Sequence, residues 1–250
     1  MTKPAVIAAF SRAAHSYNEH ARVQTQAGDA LCAWLPKREL RHILDLGCGT
    51  GVFTQKVAQR FPTASITAVD ASVAMASQAS RACDGFDVSV HHGDALTFVG
   101  SPPYDLIVSN ASLHWFCGAP FFAHAASLLA ADGEIVFSAY GAKTFHELAS
   151  ALRAIGSRQQ VIAETFADAA GIETAMRGSF TDITTESLIF EETFADVTEM
   201  FRAMRGSGIV PSKSGESWTR ARLAMLQKAF DDAGGVKLSH EIIFGYGRKA

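Results

Sequence analysis

The sequence predicts an α/β fold, a doubly wound and mostly parallel sheet of about seven strands, on three observations. Strand-like and helix-like segments alternate from residue 42 onward, the first strand runs straight into three alternating glycines, and the second closes on an acid 19 residues beyond the last of them. Such alternation implies right-handed βαβ units. At 250 residues, 48% hydrophobic and 19% charged, the chain suits one domain with an insertion and is too apolar for disorder. A formal charge of −3 weighs against a mainly electrostatic nucleic-acid binder. No apolar run reaches the roughly 18 residues of a transmembrane helix, and no signal-peptide core opens the sequence. Cys32, Cys48, Cys83 and Cys117 form no C-x-x-C pair, so reduced thiols and a cytoplasmic setting are expected.

Taken in order, residues about 4 to 35 read as helical, with Val23, Ala27, Ala30, Leu31 and Trp34 at helical spacing and Pro36 past the end. Residues 1–36 are therefore expected to form an N-terminal helical cap. Strands follow at 42–46, 66–70, 87–91, 104–109 and 134–139, and helices at 52–60, 73–82 and 121–129, with Asp132-Gly133 as the turn into the fifth strand. After a helix near 145–154 the alternation lapses. A strand at 183–191, helices at 194–204 and 217–230 and a strand at 237–246 remain. If the last two strands pair antiparallel, residues about 194 to 232 form a helical lid inserted at the edge of the sheet.

The run Ile43 to Gly51 carries most of the chemistry. An open parallel sheet presents its ligand crevice at the carboxyl ends of its strands, and glycines there admit a ligand close to the backbone. Asp45, Gly47, Cys48, Gly49 and Gly51 are the candidate floor of a nucleotide-cofactor site, spaced G-x-G-x-G and not as the dinucleotide G-x-G-x-x-G. Asp70 stands where an acid accepts hydrogen bonds from ribose hydroxyls. In the stretch Asp70-Ala71-Ser72-Val73-Ala74-Met75, Ser72 suits an N-cap and Met75 suits either an adenine face or core packing. After the third strand, Asp94 and the Ala95 amide are candidates for the adenine edge, with a plain loop aspartate as the alternative. His91, His92, His114 and His146 read as structural, Cys48 as a small loop residue, and no cluster has metal-ligand spacing.

Together the glycine loop, Asp70, Asp94 and the strand end Ser109-Asn110-Ala111-Ser112-Leu113-His114-Trp115 resemble the Rossmann-like S-adenosylmethionine-dependent methyltransferases. A narrower resemblance covers most of the chain. The segment Phe10-Ser11-Arg12-Ala13-Ala14-His15-Ser16-Tyr17-Asn18-Glu19-His20-Ala21, the Asn110 to Trp115 stretch, Thr144 to Leu148 and Met204-Arg205-Gly206-Ser207-Gly208 are similar to the malonyl-[acyl-carrier protein] O-methyltransferases of biotin synthesis. Residues 157–182 add nothing to it. The resemblance implies S-adenosylmethionine as cofactor and a catalytic pair, Tyr17 closing over the cofactor and Asn110 facing the methyl group. It also implies methylation of the free carboxylate of malonyl carried on acyl-carrier protein, with Trp115 near the acceptor.

That chemistry needs no general base, since a carboxylate with a reference pKa near 4 is ionised at neutral pH. Both reacting charges vanish in the product, so a full cationic grip on the acid would favour substrate over transition state, and at most one arginine is expected to touch it. Between residues 202 and 228, Arg202, Arg205, Lys213, Arg220, Arg222 and Lys228 face a single acid, Glu216. This basic stretch suits docking of an acidic carrier protein and equally an ordinary solvated helix face. A methyltransferase for another small carboxylic acid, an NAD-linked oxidoreductase and a non-catalytic cofactor-binding module are the alternatives.

Overall fold

The computed structural model describes residues 3–101, 103–209 and 218–250. Its centre is one seven-stranded sheet. β1 (His42–Leu46), β2 (Ser65–Asp70), β3 (Val88–His92), β4 (Tyr104–Ser109), β5 (Leu129–Tyr140), β6 (Phe180–Phe194) and β7 (Val236–Lys249) lie in the order β3-β2-β1-β4-β5-β7-β6. The first five strands are parallel, and β7 runs antiparallel between β5 and β6. The predicted fold class and the antiparallel last strand are both present.

β1 shows why the centre is rigid. Ile43, Leu44, Asp45 and Leu46 are all buried, as expected for a parallel strand covered on both faces. Each buried Leu or Ile contributes about 1.5–3 kcal/mol, so the strand that carries Asp45 is held by its own neighbours. The helices α4 (Val52–Arg60) and α5 (Val73–Ala82) return the chain between β1, β2 and β3. α6 (Ala119–Leu128) leads into β5 without the expected turn. Tyr104 pairs with Leu129 while Leu106 pairs with Glu134, so Asp132-Gly133 sits within an irregularity of the strand pairing. The extra residues are absorbed inside β5, which begins five residues earlier than the sequence predicts.

The N-terminal cap is three helices where the sequence predicts one. α1 (Lys3–Ala13), α2 (Tyr17–His20) and α3 (Arg22–Leu31) are separated at residues 14–16 and at Ala21. No glycine or proline marks either break. The first is closed by the Ser16 amide, which donates to the Ala13 carbonyl at 2.9 Å, and Ala21 leaves helical geometry at ψ 45°.

Downstream of the sheet centre, α7 (His146–Ala154), α8 (Ala169–Met176), α9 (Val197–Gly206) and α10 (Arg220–Asp232) complete the chain. α8 falls in the stretch the sequence left unread. α9 and α10 connect β6 to β7 and bury Val197, Met200, Phe201, Met204, Leu226 and Phe230 with Phe145, Leu148 and Leu152 around α7 in a core of their own. The start of the second predicted helix, Ser217, lies outside the described residues, as do Lys213 and Glu216 of the basic stretch.

Candidate active site

A cavity of about 200 Å³ opens at the carboxyl ends of β1, β2 and β4, roofed by α1 to α3. It is lined by all but one of the predicted cofactor residues, Asp45, Gly47, Cys48, Gly49, Asp70, Ala71, Met75, Asp94, Ala95 and Asn110, and by Tyr17 and Trp115. Gly51 stands just behind, at the start of α4.

The three loop glycines all take positive φ, for different reasons. A Cβ on Gly47 would fall 2.2 Å from Ser112 Oγ, and one on Gly51 would fall 2.9 Å from Ala79 Cα. Gly47 therefore lets the β4 loop close against β1, and Gly51 lets α4 close against α5. A Cβ on Gly49 would meet open space, since this glycine faces the cavity and presents its backbone.

That backbone is fixed by Asp70. Its Oδ2 accepts the Gly49 N–H at 3.0 Å and its Oδ1 accepts the Ser72 N–H at 2.8 Å, tying the ends of β1 and β2 together. Burial raises the Asp70 carboxyl above the ordinary range, against the two amides and His92, which favour its charge. Ser72 caps α5 as predicted, accepting the Met75 N–H at 3.3 Å. Met75 is fully buried and also lines the cavity, so the packing role and the ligand-facing role coexist.

Asp45 is the most informative group. It is 1% exposed; its Oδ2 accepts the Thr54 hydroxyl at 2.6 Å, and its Oδ1 has no partner. Burial pushes its carboxyl up to about 7, with the Thr54 bond opposing and the Asp70 charge adding to the rise. An orphaned buried carboxylate oxygen in a cavity wall calls for a donor, best a cationic one, from a ligand. Asp94 differs, because both oxygens are engaged, Oδ2 with the Lys3 ammonium and Oδ1 with the Leu96 N–H at 3.0 Å. Burial works upward on this carboxyl, but Lys3 and the Leu96 amide outweigh it and hold it below the usual value.

Asn110 acts as a strut in this state of the chain. Its Nδ2 donates to the Gln24 carbonyl at 2.9 Å and its Oδ1 accepts the Ser138 hydroxyl at 2.7 Å, linking α3, β4 and β5 at the cavity wall. Tyr17 lies in the roof with its hydroxyl pushed strongly upward in pKa by burial and by the Asp70 charge. Phe10 stands between the rings of Tyr17, at 6.1 Å, and Trp115, at 6.0 Å, and so joins roof to floor. Beside Trp115, burial drives the His114 imidazole down to about 3, so it is neutral throughout the physiological range. His91, His92 and His146 are exposed.

Of the predicted docking residues, Arg202 and Arg205 are exposed on α9 and Arg220 is exposed at the start of α10. Arg222 is half-buried with its guanidinium 5.9 Å from the Trp218 ring, which makes it a packing residue as well as a charge. None of the four lines the cavity. The Met204 to Gly208 stretch meets the roof: a Cβ on Gly206 would overlap His20, and one on Gly208 would fall 2.5 Å from the Phe10 ring.

Several site residues escaped the sequence reading. Thr54 and Gln24 are partners of predicted residues from distant positions, and nothing local marks them. Ser112 and Asn18, whose Oδ1 accepts the Thr50 hydroxyl at 2.6 Å, belong to two of the segments quoted above and had a legible signal.

Residues 43–133 match the family model described as a methyltransferase domain. Among curated proteins, the chain is similar to malonyl-[acyl-carrier protein] O-methyltransferase 1 of Ilyobacter polytropus, 37% identical over 146 residues covering 57% of this chain and 54% of the relative. It is also similar to malonyl-[acyl-carrier protein] O-methyltransferase of Bacillus cytotoxicus, 35% identical over 148 residues covering 56% of this chain and 50% of the relative. These matches span about half the length of each relative. Among solved structures, the YcgJ protein of Bacillus subtilis superposes with a TM-score of 0.62 at 15% identity, over 90% of this chain and 98% of that one. The likeness to the solved structure concerns the fold. The methyltransferase match over residues 43–133 weighs against the oxidoreductase alternative.

Proposed function

We propose, taking the methyltransferase domain as premise, that the chain transfers a methyl group from S-adenosylmethionine to the free carboxylate of malonyl-acyl-carrier protein, giving the methyl ester that enters biotin synthesis. The observation that carries the cofactor is the orphaned, buried Oδ1 of Asp45 beside the open face of Gly49. When bound, the cofactor supplies an electrophilic methyl on a sulfonium.

The chain's own residues then have simple tasks. Asp45 accepts the ammonium of the methionine portion, Asp70 accepts the ribose hydroxyls, and Met75, Asp94 and Ala95 receive the adenine, with Lys3 yielding the Asp94 oxygen that it occupies. Tyr17, Phe10 and α1 cover the cavity and exclude water, while Asn110 keeps α3 against the ends of β4 and β5 where the acceptor enters. No side chain has to move a proton, because the acceptor acid is already ionised. The histidines read as structural fit that requirement, His114 being neutral and buried and His91, His92 and His146 exposed.

For the carrier, Arg202, Arg205 and Arg220 form an exposed basic face on the two helices that join β6 to β7. Arg220 stands in the first turn of α10, where cations oppose the helix dipole. An acidic partner surface relieves that opposition. The experiment is incubation with methyl-labelled S-adenosylmethionine and, separately, malonyl-acyl-carrier protein, malonyl-coenzyme A and free dicarboxylic acids. Label on the carrier-bound malonyl supports the proposal; transfer to free acids alone overturns it.

A further inference from the structure

Among the described residues, no arginine lines the cavity. Its lining cations are Lys3 and Lys56, and each is already paired, Lys3 with Asp94 and Lys56 with Asp29. The single arginine that the sequence reading allows at most at the acceptor acid finds no candidate among the described lining residues.

An aromatic cluster that meets the cavity only through Trp115 and Phe10 instead holds buried donors without acceptors. Trp115 lines the cavity, and its Nε1–H is buried with no hydrogen-bond partner. Tyr140, at the end of β5, is 4% exposed and its hydroxyl is likewise buried and unpartnered. Between them lies His114, its ring 4.7 Å from Trp115 and 4.9 Å from Tyr140. His114 Nδ1 accepts the Tyr140 backbone N–H at 3.4 Å, which leaves the proton on Nε2 and adds a third uncharged donor to the group. Phe10 and Phe166 pack edge-on against Trp115 at 6.0 and 5.6 Å and fix the indole plane. Tyr140 also lies close enough to Tyr17, in the cavity roof, for that phenol to disfavour its ionisation, after the larger effect of burial.

A buried donor left without an acceptor costs roughly 1–3 kcal/mol, so two in one aromatic wall call for a ligand that supplies acceptors. We propose that the acceptor carboxylate is held by uncharged donors, the indole N–H of Trp115 and the hydroxyl of Tyr140, with no arginine in contact. This deepens the methyl-transfer reading and rests on it. The chemistry suits a reaction in which the acid loses its charge. Neutral donors orient a carboxylate oxygen and discriminate against acceptors without one, yet they stabilise the ground-state anion less than a guanidinium pair does. They also leave the ester product weakly held. His240 also packs against this cluster, its ring 6.0 Å from that of Tyr140, but its Nε2 already sits 3.1 Å from a Glu192 carboxylate oxygen.

The test uses the full-length protein with malonyl-acyl-carrier protein. Trp115→Phe keeps the ring and removes the N–H; Tyr140→Phe removes only the hydroxyl. Each variant is expected to raise KM for the acceptor roughly 10- to 100-fold with a smaller change in kcat, while calorimetric affinity for S-adenosylhomocysteine stays at the wild-type value. A variant whose acceptor KM stays within about twofold overturns the assignment of that residue. In the wild-type protein with nitrogen-labelled tryptophan, S-adenosylhomocysteine plus malonyl-acyl-carrier protein is expected to move one of the three indole N–H signals downfield relative to S-adenosylhomocysteine alone. This readout stands even if a variant fails to fold, and three unmoved signals overturn the Trp115 contact. Wild-type protein that transfers label to no carboxylate acceptor overturns the underlying reading instead.

Discussion

The floor and the roof of the cavity are held together by different means. The floor is made at the ends of β1, β2 and β4, where Asp70 clamps two backbone amides, Ser112 donates to the Leu46 carbonyl at 3.1 Å and the glycines allow the loops to touch. In the roof, α1 and α2 are joined to the rest by ring contacts of Phe10, by the Thr50–Asn18 bond and by an exposed Lys3–Asp94 pair of a kind worth about 0–1 kcal/mol, whereas α3 is anchored in the core by Val23, Ala27 and Leu31. Backbone clamps make a site rigid before the ligand arrives. Side-chain and ring contacts of modest strength let the roof open at little cost, as a cavity enclosed on this scale requires. On the proposed reading, the difference gives cofactor recognition to the floor and access to the roof.

Breaking the floor therefore has the largest expected effect. Asp70→Ala removes both amide contacts and the ribose acceptor together, and S-adenosylhomocysteine affinity measured by calorimetry is expected to fall roughly a hundredfold or more. A loss under about fivefold would move the clamp's role from ligand binding to loop structure.

A second test sharpens the same comparison through pH. The Asp45 carboxyl is raised in the folded protein to about 7 from its ordinary 3.8, chiefly by burial, and Asp70 is raised by the same cause. The folded apo protein thus binds protons more tightly than the unfolded chain. Its contribution to stability is fully present below pH 4 and is lost as pH rises through 7. A cationic ligand reverses the preference, favouring ionised Asp45. Cofactor affinity is therefore expected to rise about tenfold between pH 6 and 8 and then level off, whereas Asp45→Asn shows a flat profile over that range. A profile in Asp45→Asn that still rises tenfold would remove Asp45 from the ammonium site.

The floor was also the legible half. Ile43 to Gly51 and Asp70 are local patterns, in which strand end, glycine spacing and acid follow one another along the chain, and the structure brings Asp45, Gly47, Cys48, Gly49, Thr50 and Asp70 to one cavity. The roof carries no such grammar. The breaks at residues 14–16 and Ala21 have no glycine or proline to announce them, because they are imposed from outside, by Asn18 bonding Thr50 and Phe10 seating against Gly208. Asn110 reads as catalytic from its place after β4, whereas its partners, Gln24 and Ser138, are visible only once α3 and β5 are folded against it. Asp132-Gly133 shows the converse. It has the composition of a turn, and the pairing of β4 with β5 absorbs it within a strand.

The smallest expected effect lies farthest from the floor, on the helices joining β6 to β7. Arg202, Arg205 and Arg220 are exposed and line no part of the cavity, whereas Arg222 is packed against Trp218. A triple change of Arg202, Arg205 and Arg220 to glutamate, with Arg222 retained to preserve that packing, reverses the surface charge without touching the clamp. At low ionic strength the KM for malonyl-acyl-carrier protein is expected to rise severalfold, to about tenfold, and its dependence on salt to flatten, because exposed charges act mainly on encounter and are screened within about 10 Å at 0.1 M salt. The KM for malonyl-coenzyme A, if it is turned over, and the affinity for S-adenosylhomocysteine are expected to stay at wild-type values. A parallel loss with both acceptors would mean that α9 shapes the cavity through its contact with Phe10 and His20 and not through its charge. Loss with the carrier alone makes α9 and α10 the carrier-docking face.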